Sequence, residues 1–389
     1  MNMTQIFLLV VLAGCVLLVV YPFALYPLVL RLGRGVLRRA LERAWPAPDG
    51  AVAEPRSAAI LFCAYNEAPV LRQKLESVLA AADAAPVPTE VWVYLDGCTD
   101  ESEAIAASFG DRVNVVAGRQ RRGKSVGMRT LASRTDADLL VFTDANVLFR
   151  PDLIARLRGH FLVRPEVGCV LGSVQFTNRG ETATSRLEGG YWRYEERLKR
   201  LESEIGSCLC GTGALFAIRR ETYVPAPDDI IDDFHTTLNV LLSGRRVVQP
   251  ADVVVYEKAS TKPRDEWRRK VRITCRSMNC YRRLRPRLAR LPWPLRFMFL
   301  SHKTLRWYAG APLVAGTAAA LLLAFSFGPA AGAVASALLL LGGGLGRRRI
   351  WPFGLAWGLV EALLATGVGV YRSYRGERFV TWTPVQSAR

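Results

Sequence analysis

A chain of 389 residues can hold one large domain or two of ordinary size. Half of its residues are hydrophobic, the net charge is +18, and both excesses are concentrated rather than spread. Of its eight cysteines only Cys208 and Cys210 are close together, with no histidine at zinc-ligand spacing. This excludes a disulfide-stapled scaffold and a structural zinc site, and leaves reduced thiols packed as small hydrophobes.

Ile6–Leu30 is almost free of charge and long enough to cross a bilayer. Arg31, Arg34, Arg38, Arg39 and Arg43 follow it, which by the positive-inside rule holds the next segment in the cytoplasm. Leu12-Ala13-Gly14-Cys15 has the look of a lipoprotein processing site. It lacks a preceding basic residue, however, and the apolar run continues past Cys15. Residues 1–45 are therefore expected to be an uncleaved transmembrane anchor with a basic linker, and Pro46, Pro48 and Pro55 lead out of it.

From Ala58 the pattern alternates between strand and helix. Strands are expected at Ala58–Cys63, Glu90–Leu95, Arg112–Val116 and Leu139–Asp144. Helices are expected at about Pro69–Ala82, Glu101–Phe109 and Ser125–Ser133. This spacing predicts a parallel sheet with crossover helices. Three of the four strands end in acidic or amide clusters: Asn66 and Glu67, Asp96 and Asp100, Asp144 and Asn146. One such end is ordinary turn or cap chemistry, but three brought to one sheet edge suggest a site. Gly118–Ser125 also matches the full phosphate-binding P-loop pattern, with Leu139–Asp144 as its partner acidic strand. Its context is unusual for a P-loop, because two strand–helix units precede it. A solvated basic turn is the plainer reading.

Further on, a helix is expected from Asp152 and a strand at Gly168–Phe176. Thr184–Glu204 should be an amphipathic surface helix with Leu187, Tyr191, Tyr194 and Leu198 on one face. Gly211-Thr212-Gly213 lies in a small-residue loop that would let backbone approach a sugar. Asp228, Asp229, Asp232 and Asp233 then open a helix over His235–Ser243. They are more acids than capping needs, so one is a candidate general base. Short strands at Val247–Gln249 and Val253–Tyr256 precede a basic helix from Trp267. Between Lys262 and Arg306 there are 15 Lys and Arg against only Asp265 and Glu266. With apolar segments directly following, this reads as a collar beside anionic lipid rather than a nucleic-acid surface. Ala309–Phe327 and Pro329–Leu345 should form an apolar hairpin, with Arg347, Arg348 and Arg349 marking a return to the cytoplasm. Trp351–Tyr371, interrupted by Glu361, is expected at the interface, because Arg372, Arg375 and Arg378 are costly to export.

Taken together these motifs resemble the membrane-bound family-2 glycosyltransferases, the class of cellulose, chitin and hyaluronan synthases and related lipid-directed enzymes. The resemblance covers Ala58 to about Tyr281 and the helices on both sides. It implies an α/β fold, a Rossmann-like GT-A glycosyltransferase domain over 55–285, with transmembrane helices at both ends. Residues 55–150 would be the nucleotide-sugar half and 151–285 the acceptor half. A basic interface helix (286–308), C-terminal membrane or interfacial helices (309–374) and a cytoplasmic tail (375–389) would follow. The resemblance implies that Ala64, Tyr65, Asn66, Glu67 and Asp96 bind the nucleotide and that Lys124 faces its diphosphate. Asp144 and Asn146 would hold Mg2+ or Mn2+. Asp233 would be the catalytic base beside Asp232, with Gly211, Thr212, Gly213 and His235 on the acceptor side. Arg269 and Arg272 would complete the donor site.

Two departures from the family pattern matter. Asn146 replaces a second aspartate, leaving one fewer anionic ligand, although a hard cation accepts an amide oxygen. Arg269 and Ile273 stand where polymerising members have Gln and Trp, which argues for single-sugar transfer. The resemblance implies an inverting transfer from a nucleotide sugar, a UDP-sugar first, to a lipid-linked or glycan acceptor. It places a multi-pass protein in a bacterial-type inner membrane, touching membrane lipids and no nucleic acid. A processive polysaccharide synthase, a P-loop nucleoside triphosphatase using 118–125 and a non-catalytic membrane scaffold are the alternatives.

Overall fold

The computed structural model describes residues 1–46, 53–178, 183–259 and 262–382. They divide into two compact units. One comprises Met1–Arg34, Glu266–Cys275 and Phe297–Glu377. The other comprises Gly35–Asp265, Arg276–Arg296 and Arg378–Arg389.

In chain order, α1 (Met3–Val20) and α2 (Tyr26–Ala44) are joined by a π-helical turn, Tyr21–Leu25. Pro22 sits in that turn, where its missing N–H breaks the regular ladder. Then come β1 (Ala58–Ala64), α3 (Ala68–Asp83), β2 (Thr89–Asp96), α4 (Ser102–Ala107), β3 (Asn114–Gly118), α5 (Lys124–Ala132) and β4 (Leu139–Asp144). They are followed by α6 (Leu153–Val163), β5 (Val167–Leu171), β6 (Ser173–Phe176), α7 (Ala183–Ile205) and β7 (Leu215–Arg219). Next are α8 (Asp232–Leu242), β8 (Arg246–Val248), β9 (Val254–Glu257) and α9 (Pro263–Leu288). Last are α10 (Trp293–Phe299), α11 (Leu305–Tyr308), α12 (Gly310–Ser326), α13 (Pro329–Arg347) and α14 (Phe353–Tyr374).

The larger sheet has the order β3-β2-β1-β4-β7-β5-β8, and β6 pairs with β9 in a small second sheet. The four expected strands are parallel neighbours. The apolar runs of the central β1 and β4 are buried on both faces, as parallel strands under crossover helices require, while β3 at the sheet edge is largely exposed. Register places Cys63 beside Asp144 and Ala64 beside Leu95, so the carboxyl ends of β1, β2 and β4 share one edge. Beyond β4 the sheet departs from the all-parallel expectation, because β7 runs antiparallel to both β4 and β5.

The single strand expected over Gly168–Phe176 is two strands in two sheets. The break is at Gly172, where a Cβ would stand 2.7 Å from the Leu215 side chain. Only glycine lets the chain leave one sheet for the other so close to β7. The expected face of α7 holds in part: Leu198 is buried and Tyr191 is exposed, while the Leu187 side chain lies outside the described residues. Burial pushes the Cys63 and Cys169 thiols well above their ordinary range, which makes them poor nucleophiles.

In the first unit, α1 packs on α12, with Gly316 so close that a Cβ would be 2.9 Å from Cys15 Cβ. The hairpin turn falls at Phe327-Gly328, as expected. Met3–Ala44, Pro329–Arg347 and Phe353–Tyr374 are long and apolar enough to cross a membrane, and the bent pair Trp293–Tyr308 and Gly310–Ser326 passes the same test together. The last of the three was expected at the interface. Glu361, the charge that interrupts it, is held by Arg349 at 2.7 Å and by the Trp357 indole N–H at 2.7 Å.

In the second unit, Arg219 pins β7. Its buried guanidinium donates to the carbonyls of Val167 (3.0 Å), Phe161 (2.8 Å) and Ala53 (2.9 Å). Arg219→Met keeps the apolar stem but leaves buried carbonyls unpaired. It is expected to cost about 2–4 kcal/mol, read as a lower thermal-unfolding midpoint of the detergent-solubilised chain.

Candidate functional site at the carboxyl edge of the sheet

The site is built where the ends of β1, β2 and β4 meet the start of α8. Its centre is a half-buried ammonium. Lys124, the first residue of α5, places Nζ 2.6 Å from Asp144 Oδ1 and 3.4 Å from Asp232 Oδ2. Burial alone would depress this ammonium, but Asp144, Asp232 and Asp233 outweigh it and hold Lys124 above the ordinary lysine range. Gly213 makes room for the pair, since a Cβ there would lie 2.9 Å from Lys124 Nζ and 3.1 Å from Asp144 Oδ2.

Asp232 and Asp233 are the first two residues of α8 and both are buried. Burial, then the neighbouring Asp232 charge, pushes the Asp233 carboxyl up to about 7. One of its oxygens, Oδ1, receives the Phe234 N–H at 2.5 Å. A carboxyl poised near neutrality, at the mouth of a polar site, is suited to general-base chemistry.

His235 is buried, and the side-chain amide of Asn239 donates to its Nε2 (3.1 Å) and to its backbone carbonyl (2.9 Å). Burial, then Arg283, pushes this imidazole down to about 4, so it is neutral at pH 7. Gly211 N–H donates to Thr237 Oγ1 on α8 at 3.3 Å. Beside it the Thr212 hydroxyl is buried with no partner in the protein, a polar group placed for a ligand to satisfy.

The residues expected to bind the nucleotide are tied together by hydrogen bonds. Asn66, at φ 51°, accepts the Thr99 N–H (2.8 Å) and donates to the Thr99 hydroxyl (3.0 Å). Asp100 accepts from Ala68 N–H and Ser102 N–H, and Ser102 Oγ accepts from Glu67 N–H, each at 3.0 Å. Ala64 ends β1 in full burial. The Tyr65 ring lies under the Arg121 guanidinium at 3.8 Å, with the Trp382 ring 6.2 Å away on another side.

Asp96 is fully buried, and its carboxylate accepts the backbone N–H of Arg122 (2.7 Å) and of Gly123 (2.9 Å). This corrects the P-loop reading of 118–125. The amides that would cradle a phosphate are spent on a protein carboxylate, and the loop follows an edge strand.

Asn146 donates its Nδ2 to Glu257 Oε1 at 3.0 Å, which leaves its carbonyl oxygen as the group that can face a cation. Arg269 and Arg272 belong to Glu266–Cys275, within the other compact unit. There Arg269 Nε bonds Glu266 Oε2 at 2.8 Å.

Four contributors were not legible in the sequence. Lys74 on α3 lies behind the end of β4, and only its position among Leu71, Leu75 and Val78 hinted that it points inward. Arg276 on α9 is buried with Nη2 2.8 Å from Ser125 Oγ, and it also donates to the Ile230 carbonyl. Arg121 gave no signal beyond its basic loop. The segment expected to be a cytoplasmic tail places Val380 against Gly123, whose missing side chain would meet the Val380 carbonyl at 2.3 Å.

Residues 59–223 match the model of the family described as Glycosyl transferase family 2. An N-acetylglucosaminyltransferase of Mesorhizobium japonicum is 26% identical over 219 residues, 52% of this chain and 49% of that protein. Another from Rhizobium meliloti is 24% identical over 215 residues, 50% of each. The chain thus spans about half the length of the curated relatives it matches. Among solved structures, the mannosyltransferase PcManGT from Pyrobaculum calidifontis, in complex with GDP-Man and Mn2+, superposes with a TM-score of 0.68 at 23% identity. That match covers 95% of this chain and 100% of that one.

The Asp233 carboxyl should be visible by infrared difference titration of the purified chain. A protonated acid is expected to disappear with a midpoint near pH 7. It should be absent in Asp233→Asn. In Asp232→Asn the midpoint should move toward acid, because the raising charge is gone.

Proposed function

We propose that the chain, whose residues 59–223 match the model of Glycosyl transferase family 2, is a membrane-bound inverting glycosyltransferase acting on a nucleotide-sugar donor. The observation that carries the proposal is the convergence of Lys124, Asp144, Asp232 and Asp233 at the sheet edge, with a near-neutral carboxyl beside a half-buried cation. The acceptor is proposed to be lipid-linked or a glycan, in keeping with the apolar helices that flank the domain in sequence.

The residues present fit a hard divalent cation. Gly213 leaves the outer oxygen of Asp144 uncovered, and Asn146 has a carbonyl oxygen to offer. Among the described residues no cluster of three or more His, Cys, Asp or Glu could hold a metal alone, so phosphate oxygens of the donor would complete the set. Bound by Asp144 and Asn146, Mg2+ or Mn2+ would supply positive charge beside the diphosphate.

The protein's own groups then have distinct roles. Lys124 meets the charge that grows on the departing diphosphate. Tyr65, Asn66, Glu67 and Asp96, with the Arg121 guanidinium over Tyr65, shape the wall for base and ribose. Gly211, Thr212 and Gly213 present backbone and one unpartnered hydroxyl to the sugars. Asp233 accepts the proton of the acceptor hydroxyl as that oxygen bonds to the anomeric carbon. The bond from that carbon to the phosphate oxygen breaks, and the nucleoside diphosphate leaves with the electron pair. The free second oxygen of Asp233 is the one available for the proton, since Oδ1 holds the Phe234 N–H. His235, neutral and bonded within its own helix, packs behind the base. Single transfer is proposed over polymerisation because Ile273 stands where polymerising members have Trp.

The test is release of nucleoside diphosphate by the detergent-purified chain with Mn2+ or Mg2+. UDP-N-acetylglucosamine is the first donor, chosen from the relatives' names, followed by other UDP-sugars and GDP-mannose. Asp233→Asn should lower turnover about 100- to 10,000-fold with the chain still folded. Because the base works deprotonated, kcat/KM should rise with pH through about 7 and then level. Hydrolysis of ATP or GTP, with no release from any sugar nucleotide, would overturn the assignment. Long polymer as product would overturn single transfer.

A further inference from the structure

The turn that carries Asp144 and Asn146 is gripped from behind by a helix with no assigned part in the site. Lys74 on α3 is completely buried. Its Nζ donates to Thr143 Oγ1 at 3.0 Å and to the Val147 carbonyl at 2.6 Å. These anchor points flank Asp144, Ala145 and Asn146. The Thr143 hydroxyl in turn donates to the Ala214 carbonyl at 2.7 Å, beside Gly213. One turn further along α3, Ser77 Oγ accepts the Phe149 N–H at 3.3 Å while donating to the Lys74 carbonyl at 3.1 Å. From the other side β9 holds the same segment, through paired backbone bonds between Leu148 and Tyr256 (2.8 and 3.0 Å) and through Glu257 on Asn146.

Among the described residues the Lys74 ammonium makes no direct ion pair, and the Asp144 and Glu257 charges act on it only from a distance. It faces the Phe149 ring at 4.2 Å and the Phe62 ring at 5.4 Å. Burying a lysine whose direct partners are neutral acceptors and aromatic faces is costly, and a leucine or methionine would fill the space without that cost. What the lysine adds is two bonds that span the turn.

We propose that Lys74 is a positioning residue for the cation site. By bridging Thr143 and Val147 it fixes the Asp144–Asn146 turn so that the carboxylate and amide oxygens stay placed for a divalent ion between protein and diphosphate. The proposal rests on the donor-site reading above. Groups that orient metal ligands typically contribute a factor of about 10 to 100 in metal affinity.

The test is Mn2+ binding to the full-length chain in detergent, read by electron paramagnetic resonance of free Mn2+, with UDP and then GDP present. Each variant is checked by thermal unfolding. Lys74→Met keeps an apolar stem of similar length and removes both bonds. It should weaken Mn2+ binding about 10-fold or more, while binding of the nucleotide without metal changes less than about two-fold. Thr143→Val removes one anchor by an isosteric change and should weaken Mn2+ binding in the same direction. It decides the matter if Lys74→Met does not fold. Asp144→Asn reports on the site itself. If Asp144→Asn loses Mn2+ while the Lys74 and Thr143 variants bind it as wild type, Lys74 is only a core residue and the proposal is overturned alone. If Asp144→Asn binds Mn2+ as wild type, the cation site and the proposal fall together. A lowered melting point with unchanged Mn2+ affinity in the folded Lys74 variant also overturns it.

Discussion

The ion cluster around Lys124 is the interaction on which the rest of the site depends. Three carboxylates from two parts of the chain, Asp144 at the end of β4 and Asp232 and Asp233 at the start of α8, crowd one partly closed corner. Left to themselves they would repel one another and resist burial. A single ammonium at the start of α5 makes the arrangement tolerable, and only because residue 213 has no side chain. Arg276 strengthens the same corner from α9, joining Ser125 to the Ile230 carbonyl just ahead of the acidic pair. Strand end, loop, helix start and basic helix are thus locked by two cations, the half-buried Lys124 and the buried Arg276.

That cluster also divides labour among chemically similar groups. Asp144 contacts the ammonium directly and is partly open to solvent, which suits a ligand for positive charge. Asp233 is buried beside Asp232 and is pushed toward neutrality, which suits a group that must gain a proton. Asp96 is neither. Its oxygens accept the backbone N–H groups of Arg122 and Gly123, which ties the basic loop to the end of β2. Environment, not residue type, separates the three roles.

Much of this was visible in the linear pattern. The first four strands, their parallel pairing and their polar ends follow from apolar runs closed by Asp, Asn and Glu, since such runs need a two-sided buried sheet. The single strand expected over Gly168–Phe176 went astray because nothing local says that Gly172 faces Leu215. The P-loop match went astray for a related reason. A regular expression records glycines and a lysine, but not that the amides between them face Asp96, 26 and 27 residues earlier in the chain. Lys74 was missed because a lysine on an apolar helix face ordinarily snorkels to the surface.

The sequence by itself determined that residues from Ala58 onward would form a strand–helix domain with its polar ends on one edge, set among apolar helices. Periodicity and turn chemistry are local properties, so they can be read from neighbours in the chain. Only the tertiary structure decided that Asp232 and Asp233 would share a cation with Asp144, roughly ninety residues earlier. It alone also decided that Asp96 would hold a loop, and that Lys74 would brace the turn from behind. Those outcomes depend on which groups are brought within about 3 Å of one another in a medium that excludes water. No residue carries that information in its own type or in that of its neighbours.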